Sequence, residues 1–203
     1  YTVTVKFTGN KNYNAIENKT AVLTINKATY DMSNVDFSDK TVTYNGQAQS
    51  ILATNLPLGV TATYENNEKT DVGEYTVTVS FTGDSKNYNA IEDKTAKLTI
   101  IKASVSGISF SGKSFTYDST KKNLAIEGNL PTGVTVTYKN NEKTNAGTYT
   151  VTASFTVDGN YEEIPDMTAT LTINKATYDM SAVDFSGKTV TYNGNVHSLE
   201  VVN

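Results

Sequence analysis

The sequence predicts an all-β protein made of tandem β-sandwich repeats of about 74 residues, arranged end to end. Three observations support this prediction. A strand with alternating apolar and polar residues recurs at Tyr1, Tyr75 and Tyr149. Turn signals separate the short apolar stretches, and no stretch keeps the 3.6-residue apolar period of a helix. About seven short strands per repeat, with turns between them, favour a sandwich of two sheets.

The recurring strand fixes the length of the repeat. In residues 75–81 the tyrosine, both valines and the phenylalanine fall on one face, while threonine and serine fall on the other. A period of two indicates a strand that is buried on one side only. Each copy is followed by a second strand and a Lys-Ala pair. The spacing therefore predicts an opening segment at 1–27 (the C-terminal part of a repeat), a first repeat at 28–102, a second repeat at 103–175 and a closing segment at 176–203 (the N-terminal part of a repeat).

The order of elements is predicted most clearly in the first repeat. Asn45-Gly46 between two alternating stretches predicts a tight type I′ hairpin. Tyr88 and Ile91 lie in a long polar loop and recur in the other copies, so we expect them to hold this loop on the core. The predicted strands cover 35–37, 40–44, 49–53, 60–64, 75–81 and 96–100.

The opening and closing segments match opposite parts of one repeat. The opening segment corresponds to 75–102 and the closing segment to 28–55. Neither segment alone can bury both faces of a core. We therefore expect each to fold against neighbouring repeats of the same chain, or the two to pair between chains by end-to-end self-association.

Composition excludes several classes of function. The 203 residues carry a net charge of -4, and all 17 basic residues are lysine, so the chain lacks the basic surplus that binds nucleic acid. No apolar run approaches the 18 residues of a membrane span. Cysteine is absent, which fits a bacterial surface protein or a cytosolic one.

Residues that could carry chemistry are few, and they vary between copies. The single histidine, His197, stands where the first repeat has Gln49. A triad needs a positioned base, and a zinc site needs several nitrogen or sulfur ligands. Loop carboxylates such as Asp39 and Asp71 are replaced in other copies. We predict no catalytic residue, no metal ligand and no cofactor. Loop-bound calcium and an isopeptide bond at Lys97 are the less favoured alternatives, since Lys97 is expected to face outward.

Aromatic and methionine residues near the Lys-Ala pairs predict a joint between repeats. Tyr30 and Met32 follow one such pair, and Tyr178 and Met180 follow another. We expect these four side chains to pack against the unit that precedes them. The alternating pattern instead assigns three other tyrosines to the core, rather than to a carbohydrate-stacking surface; they are Tyr44, Tyr64 and Tyr75.

Four motifs recur in the same order along the chain. They are Thr-Tyr-Asn-Gly at 43–46 and 191–194, Leu-Pro-x-Gly-Val at 56–60 and 130–134, Asn-Ala-Gly-Thr-Tyr-Thr-Val-Thr at 145–152, and Ala-Thr-Leu-Thr-Ile-Asn-Lys-Ala at 169–176. Together they resemble MBG-type bacterial immunoglobulin-like repeats, which occur in tandem in large surface proteins. The resemblance covers the whole chain and implies an extracellular, non-enzymatic repeat that serves as a stalk, spacer or filament segment. The alternative it implies is an adhesin that binds a host protein or glycan through its loops or an exposed sheet face.

The Gly-x-Tyr sequence that begins two copies of the recurring strand is similar to the tyrosine corner of immunoglobulin-type sandwiches. In that feature the phenol hydroxyl bonds back to upstream backbone. Gly73 with Tyr75, and Gly147 with Tyr149, have the required spacing. The resemblance implies a structural role for these four residues.

Overall fold

The structure, a computed structural model, describes residues 1–202 and divides into two compact units. The first unit is Tyr1–Ala103 with Gly159–Glu162, and the second is Ser104–Asp158 with the chain from Glu163 onward. No helix within residues 1–202 is long and apolar enough to cross a membrane. The strands of this part of the chain are β1 (Thr2–Phe7), β2 (Ile16–Val22), β3 (Lys40–Thr43), β4 (Thr61–Glu65), β5 (Gly73–Thr82), β6 (Lys94–Ile101), β7 (Lys113–Thr116), β8 (Val134–Lys139), β9 (Gly147–Val157) and β10 (Met167–Asn174).

The first repeat contains a four-stranded sheet in the order β3-β6-β5-β4. β5 is antiparallel to both neighbours, whereas β3 runs parallel to β6. The period of two in β5 places Val77 and Val79 on the buried face, with Leu98 of β6 beside them, and all three are fully buried. Burial of a valine or leucine side chain contributes about 1.5–3 kcal/mol. This apolar face therefore supplies most of the driving force for folding the repeat.

A second, thinner layer covers that face. Residues 35–37 and 51–54 meet through one antiparallel bridge between Asp36 and Thr54. Val35 packs with Val79, and Ile51 packs with Leu98. The predicted sandwich is thus confirmed, although its second layer is held mainly by packing and side-chain hydrogen bonds.

The hairpin predicted at Asn45-Gly46 is wrong. Gly46 takes a φ of 75°, but the Asn45 side chain accepts a hydrogen bond from the Gln47 N–H at 2.9 Å and forms a local turn. Residues 49–53 do not form the predicted return strand, and Gln49 instead forms an isolated bridge with Lys69. β3 takes its ladder partners from β6, far along the chain, so the local turn signal was misleading.

The second unit repeats this architecture. Its sheet has the order β7-β10-β9-β8, and β7 is parallel to β10. Leu124, Val151 and Leu171 form its buried cluster at the positions of Ile51, Val77 and Leu98. The all-β class and the tandem repeat are therefore confirmed.

The opening and closing segments expose apolar residues that the complete repeats bury. β1 and β2 form an antiparallel hairpin in which Val3 and Val5 are 49% and 50% exposed, whereas their counterparts Val77 and Val79 are 0% exposed. In the closing segment, up to residue 202, one bridge joins Asp184 to Val202. It matches the bridge of the first repeat's second layer.

Candidate functional site

The most informative site is a loop that we name the Asn-Tyr loop. It occupies residues 9–16 of the opening segment, 83–91 of the first repeat and 158–164 of the second repeat. Its turn forms because an acidic or amide side chain caps it. Asp84 accepts from the Lys86 N–H at 2.9 Å, and Asn10 accepts from the Tyr13 N–H at 3.0 Å. Hydrogen bonds from the Asn87 side chain and from backbone N–H groups lower the pKa of Asp84.

The loops of the two complete repeats each contact the alanine of a Lys-Ala pair. The Ala28 N–H donates to the Asn87 carbonyl at 2.9 Å, and the Asn89 N–H donates back to the Ala28 carbonyl at 2.8 Å. The same two bonds join Ala103 to the loop 158–164, at 3.0 Å and 2.9 Å. The pairing is parallel in both cases. The Lys-Ala pair at the start of each complete repeat is therefore bound to a loop of that repeat rather than left as a free linker.

Tyr30 contributes an aromatic contact to this loop. Its ring stacks on that of Tyr88, with centroids 4.0 Å apart and planes at 18°. Its hydroxyl accepts from the Asp84 N–H at 2.9 Å. A β-carbon on Gly83 would lie 2.6 Å from the Tyr30 ring, so any other residue there would force the ring to move.

The predicted joint residues need a correction. Tyr30 and Met32 pack on the apolar cluster of their own repeat, around Val79, rather than on the preceding unit as predicted. The physical reason is the loop, which brings Tyr88 back to the start of the same repeat. Tyr178 and Met180 are 89% and 62% exposed.

The loop of the second repeat makes further contacts within the first unit. The side-chain amide of Asn160 bonds to one backbone group and one side chain. Its Oδ1 accepts from the Val72 N–H at 2.8 Å, and its Nδ2 donates to Asp71 Oδ1 at 3.2 Å. The ring of Tyr161 meets that of Tyr44 edge to face, with centroids 5.4 Å apart. Asn and Tyr of the loop therefore have separate partners, one polar and one aromatic.

The Gly-x-Tyr residues form the hydrogen bond of a tyrosine corner. Tyr75 Oη donates to the Asp71 carbonyl at 2.9 Å, and Tyr149 Oη donates to the Asn145 carbonyl at 2.9 Å. A β-carbon on Gly73 would lie 3.0 Å from the Tyr75 hydroxyl. The space occupied by the phenol explains the glycine two residues before it.

Removal of the corner hydroxyl tests its structural role. We expect Tyr75→Phe to lower the free energy of unfolding by about 1 kcal/mol, since one hydrogen bond is lost and the ring is kept. Tyr192→Phe is the matched control because Tyr192 is 92% exposed. Thermal unfolding followed by circular dichroism compares the two variants. Equal stability of Tyr75→Phe and the wild type would show that the corner is dispensable.

Sequence reasoning missed two asparagines, Asn67 and Asn141. Each side chain makes the two backbone hydrogen bonds that a neighbouring strand would otherwise supply. Asn67 Oδ1 accepts from the Ile51 N–H at 3.0 Å, and Asn67 Nδ2 donates to the Ile51 carbonyl at 2.8 Å. Asn141 makes the same two bonds to Leu124, at 2.9 and 2.8 Å. The available signal was the sequence Asn-Asn-Glu-Lys-Thr, which is identical at 66–70 and 140–144.

The residues considered for catalysis are not brought together. Within residues 1–202, no group of three histidine, cysteine or carboxylate side chains could hold a metal ion. His197 is exposed and lies 3.1 Å from Asn193 Oδ1. Lys97 faces solvent on β6, where its ammonium is 3.1 Å from Glu74 Oε2. The recurring hydrogen bonds and ring contacts of the Asn-Tyr loops are thus the best-defined feature of these repeats.

Comparison with protein families finds two adjacent matches to one model, described as the MBG domain, at residues 33–104 and 107–177. Comparison with curated proteins finds no match.

Comparison with solved structures finds distant similarities. Drosophila N-cadherin EC1-3 is 10% identical with a TM-score of 0.29, covering 69% of this chain and 65% of that one. A SusE-like surface-located polysaccharide-binding protein of Bacteroides thetaiotaomicron is 14% identical with a TM-score of 0.27, covering 75% and 35%. The human desmocollin-1 ectodomain is 8% identical with a TM-score of 0.29, covering 84% and 47%. The chain spans less than two thirds of each of these structures.

Proposed function

Because the chain belongs to the MBG domain family and carries two adjacent copies of that domain, we propose that it is a non-enzymatic spacer of a bacterial cell-surface protein. In this role the repeats act as a stalk or filament segment that holds other parts of the protein at a distance. MBG-type repeats stand in tandem in large surface proteins, which supports the extracellular location. The absence of cysteine is compatible with that location.

The observation that supports a spacer best is the repeated contact at the Lys-Ala pairs. β6 ends at Ile101, and two residues later Ala103 is already hydrogen-bonded to an Asn-Tyr loop. A flexible linker would need several unconstrained residues, commonly glycine or serine. Here the junction is one lysine long. A short, bonded junction is compatible with the spacer role.

The alternative role, an adhesin, has weaker support. Glycan-binding surfaces commonly present flat aromatic rings to solvent. Tyr44, Tyr64 and Tyr75 instead pack against the buried cluster around Leu98, as the alternating pattern predicted. A glycan array probed with the full chain separates the two roles. Saturable binding to one glycan class would favour the adhesin, and we expect none.

Small-angle X-ray scattering tests the spacer directly. A spacer keeps its ends at a set distance, so this role requires the region that contains the two repeats to scatter as one particle of fixed shape. Replacing Asn160 and Tyr161 by alanine removes the polar and aromatic contacts of the loop, so we expect the scattering to require an ensemble of shapes. The matched control is Asn89→Ala, because the Asn89 side chain donates to the exposed Thr29 hydroxyl at 3.0 Å. A wild type that already scatters as a flexible ensemble would contradict the spacer.

A further inference from the structure

The turn at residues 45–49 of the first repeat directs two hydrogen-bond donors at one side-chain oxygen. The Oδ1 atom of Asn45 accepts from the Gln47 N–H at 2.9 Å and from Gln49 Nε2 at 3.0 Å. The residue that follows Asn45 is Gly46, with a φ of 75°. We propose that this turn promotes attack of the Gly46 nitrogen on the Asn45 side chain, which makes Asn45 a site of intramolecular deamidation. The inference goes beyond the spacer role and holds equally for an adhesin.

The reaction exchanges the side-chain amide of Asn45 for a carboxylic acid. The Gly46 nitrogen loses its proton to a base from solvent and bonds to Cγ of Asn45, while the carbonyl electron pair moves onto Oδ1. The intermediate then expels the side-chain nitrogen, which takes up a proton and leaves as ammonia. The cyclic imide that remains adds one water. Cleavage between the nitrogen and Cγ gives aspartate, and cleavage between the nitrogen and the main-chain carbonyl carbon gives isoaspartate.

Glycine at position 46 allows this attack. It has no β-carbon to shield its nitrogen, and a positive φ costs it no steric strain. Apart from the chain neighbours of Gly46, no atom lies within 4 Å of where a β-carbon would stand, so water can reach the turn. Within residues 1–202 no backbone hydrogen bond holds the Gly46 N–H. The attacking nitrogen is therefore accessible without breaking any backbone contact.

The two donors stabilise the charge that develops on Oδ1 of Asn45. Preorganised donors about 2.7–3.1 Å from a developing oxyanion are the main means by which enzymes stabilise it. One donor here is the backbone N–H of Gln47. The other is the Gln49 amide, which also donates to the Gln47 carbonyl at 3.2 Å. Backbone bonds of 2.7 and 3.0 Å with Lys69 hold Gln49 in place.

The second repeat shows that this turn stabilises negative charge. Asp118 stands at the position of Asn45, and its carboxylate accepts from the Thr120 N–H at 2.9 Å and from the Lys122 ammonium. Lys122 corresponds to Gln49, because each forms the same isolated bridge in its own repeat. Hydrogen bonds from Lys122 and Thr120 lower the pKa of Asp118. An aspartate product therefore fits the turn of the first repeat and adds one negative charge to it.

The closing segment contains the same turn. The Oδ1 atom of Asn193 accepts from the Asn195 N–H at 3.0 Å, and His197 Nε2 lies 3.1 Å from it. Gly194 follows with a φ of 80°. Both Asn-Gly pairs of the sequence thus carry a backbone group and the side chain four residues after the asparagine at Oδ1. The arrangement is a property of these turns and not of one repeat alone.

Peptide mapping by mass spectrometry tests the proposal. The wild-type chain is incubated at mildly alkaline pH, both in native buffer and in guanidinium chloride. We expect the peptide that contains Asn45 to convert from amide to acid about fivefold or more faster in the native chain, since two hydrogen bonds act at Oδ1 only there. The peptide that contains Asn89 is the internal control, because Ala90 follows it. An equal or slower rate at Asn45 in the native chain would overturn the proposal.

Substitutions at Gln49 isolate its contribution. Gln49→Ala removes one donor to Oδ1 but keeps the backbone bonds with Lys69, so the native rate at Asn45 should fall about two- to tenfold. Gln49→Lys supplies an ammonium, as Lys122 does in the second repeat, so the rate should equal or exceed that of the wild type. Gln47→Ala is the matched control, because the donor of this residue is its backbone N–H, and its rate should be unchanged.

Circular dichroism confirms that the three variants are folded before their rates are compared. A wild-type rate in Gln49→Ala, a slower rate in Gln49→Lys, or equal slowing in Gln47→Ala and Gln49→Ala would overturn the role assigned to the two donors. Labelling by an isoaspartyl methyltransferase checks the imide route, which yields isoaspartate as well as aspartate. None of these rates depends on the scattering of the two repeats, so this proposal and the spacer can fail separately.

Discussion

Leu98→Ala is expected to destabilise the first repeat by about 3–4 kcal/mol, within the range measured for large-to-small changes at buried leucines. Leu98 is 0% exposed and lies in the cluster with Ile51, Val77 and Ile100. A repeat of this length has a total stability of about 4–11 kcal/mol. The substitution therefore removes a large share of the stability, which corresponds to a fall in Tm of about 12–32 °C for a domain of this size.

Amide hydrogen exchange read by mass spectrometry reports each repeat separately. We expect peptides from β5 and β6 to lose protection in Leu98→Ala, while peptides from β9 and β10 keep theirs. Leu171→Ala should give the reverse pattern, since Leu171 is the fully buried counterpart. Lys97→Ala is the matched neighbour on the same strand. Its exposed ion pair with Glu74 is worth at most about 1 kcal/mol. A loss of protection in Lys97→Ala as large as that in Leu98→Ala would contradict the assigned faces of β6.

Asn67→Ala is the second large expected effect. The side chain satisfies both the N–H and the carbonyl of Ile51, a residue that is 5% exposed. Its removal leaves two partly buried backbone groups without those partners, at about 1–3 kcal/mol each. Some access of water reduces the sum, so we expect a loss of about 2–4 kcal/mol.

The control for this variant is Asn89→Ala, which removes an exposed side-chain hydrogen bond to Thr29. Chemical denaturation of both proteins gives the comparison, and the expected cost at Asn89 is below about 1 kcal/mol. Asn141→Ala should cost as much as Asn67→Ala, because Asn141 bonds to Leu124 in the same way. Similar stabilities for Asn67→Ala and Asn89→Ala would mean that packing alone holds the second layer.

The recurring strand was predictable because its pattern is local. Alternation over seven residues defines the buried face of β5, and Val77 and Val79 are fully buried as expected. The MBG resemblance followed from the order of motifs, and the family match at 33–104 and 107–177 confirms it. The parallel pairing of β3 with β6 was not predictable in this way. It joins Lys40 to Leu98, and no local signal specifies a partner so distant in the chain.

The contacts of the Asn-Tyr loop show the same limit. Its recurrence was visible, and Tyr88 was expected to hold the loop on the core. Its stacking on Tyr30 depends on the loop returning to the start of its own repeat. The bonds of Asn160 to Asp71 and Val72 span nearly ninety residues. Sequence periodicity identifies equivalent residues, but it does not identify which of them meet.

The sequence by itself determined the repeat length, the all-β class, the buried face of the main strands and the family. These properties depend on short-range alternation and on self-similarity, both of which can be read without coordinates. Only the tertiary structure decided that β3 pairs with β6, that the Asn67 side chain bonds to the backbone of Ile51, and that the Asn-Tyr loop bonds to the alanine of a Lys-Ala pair. Each of these depends on hydrogen bonds between distant backbone groups. Their partners are chosen by the packed core and not by neighbours in the chain.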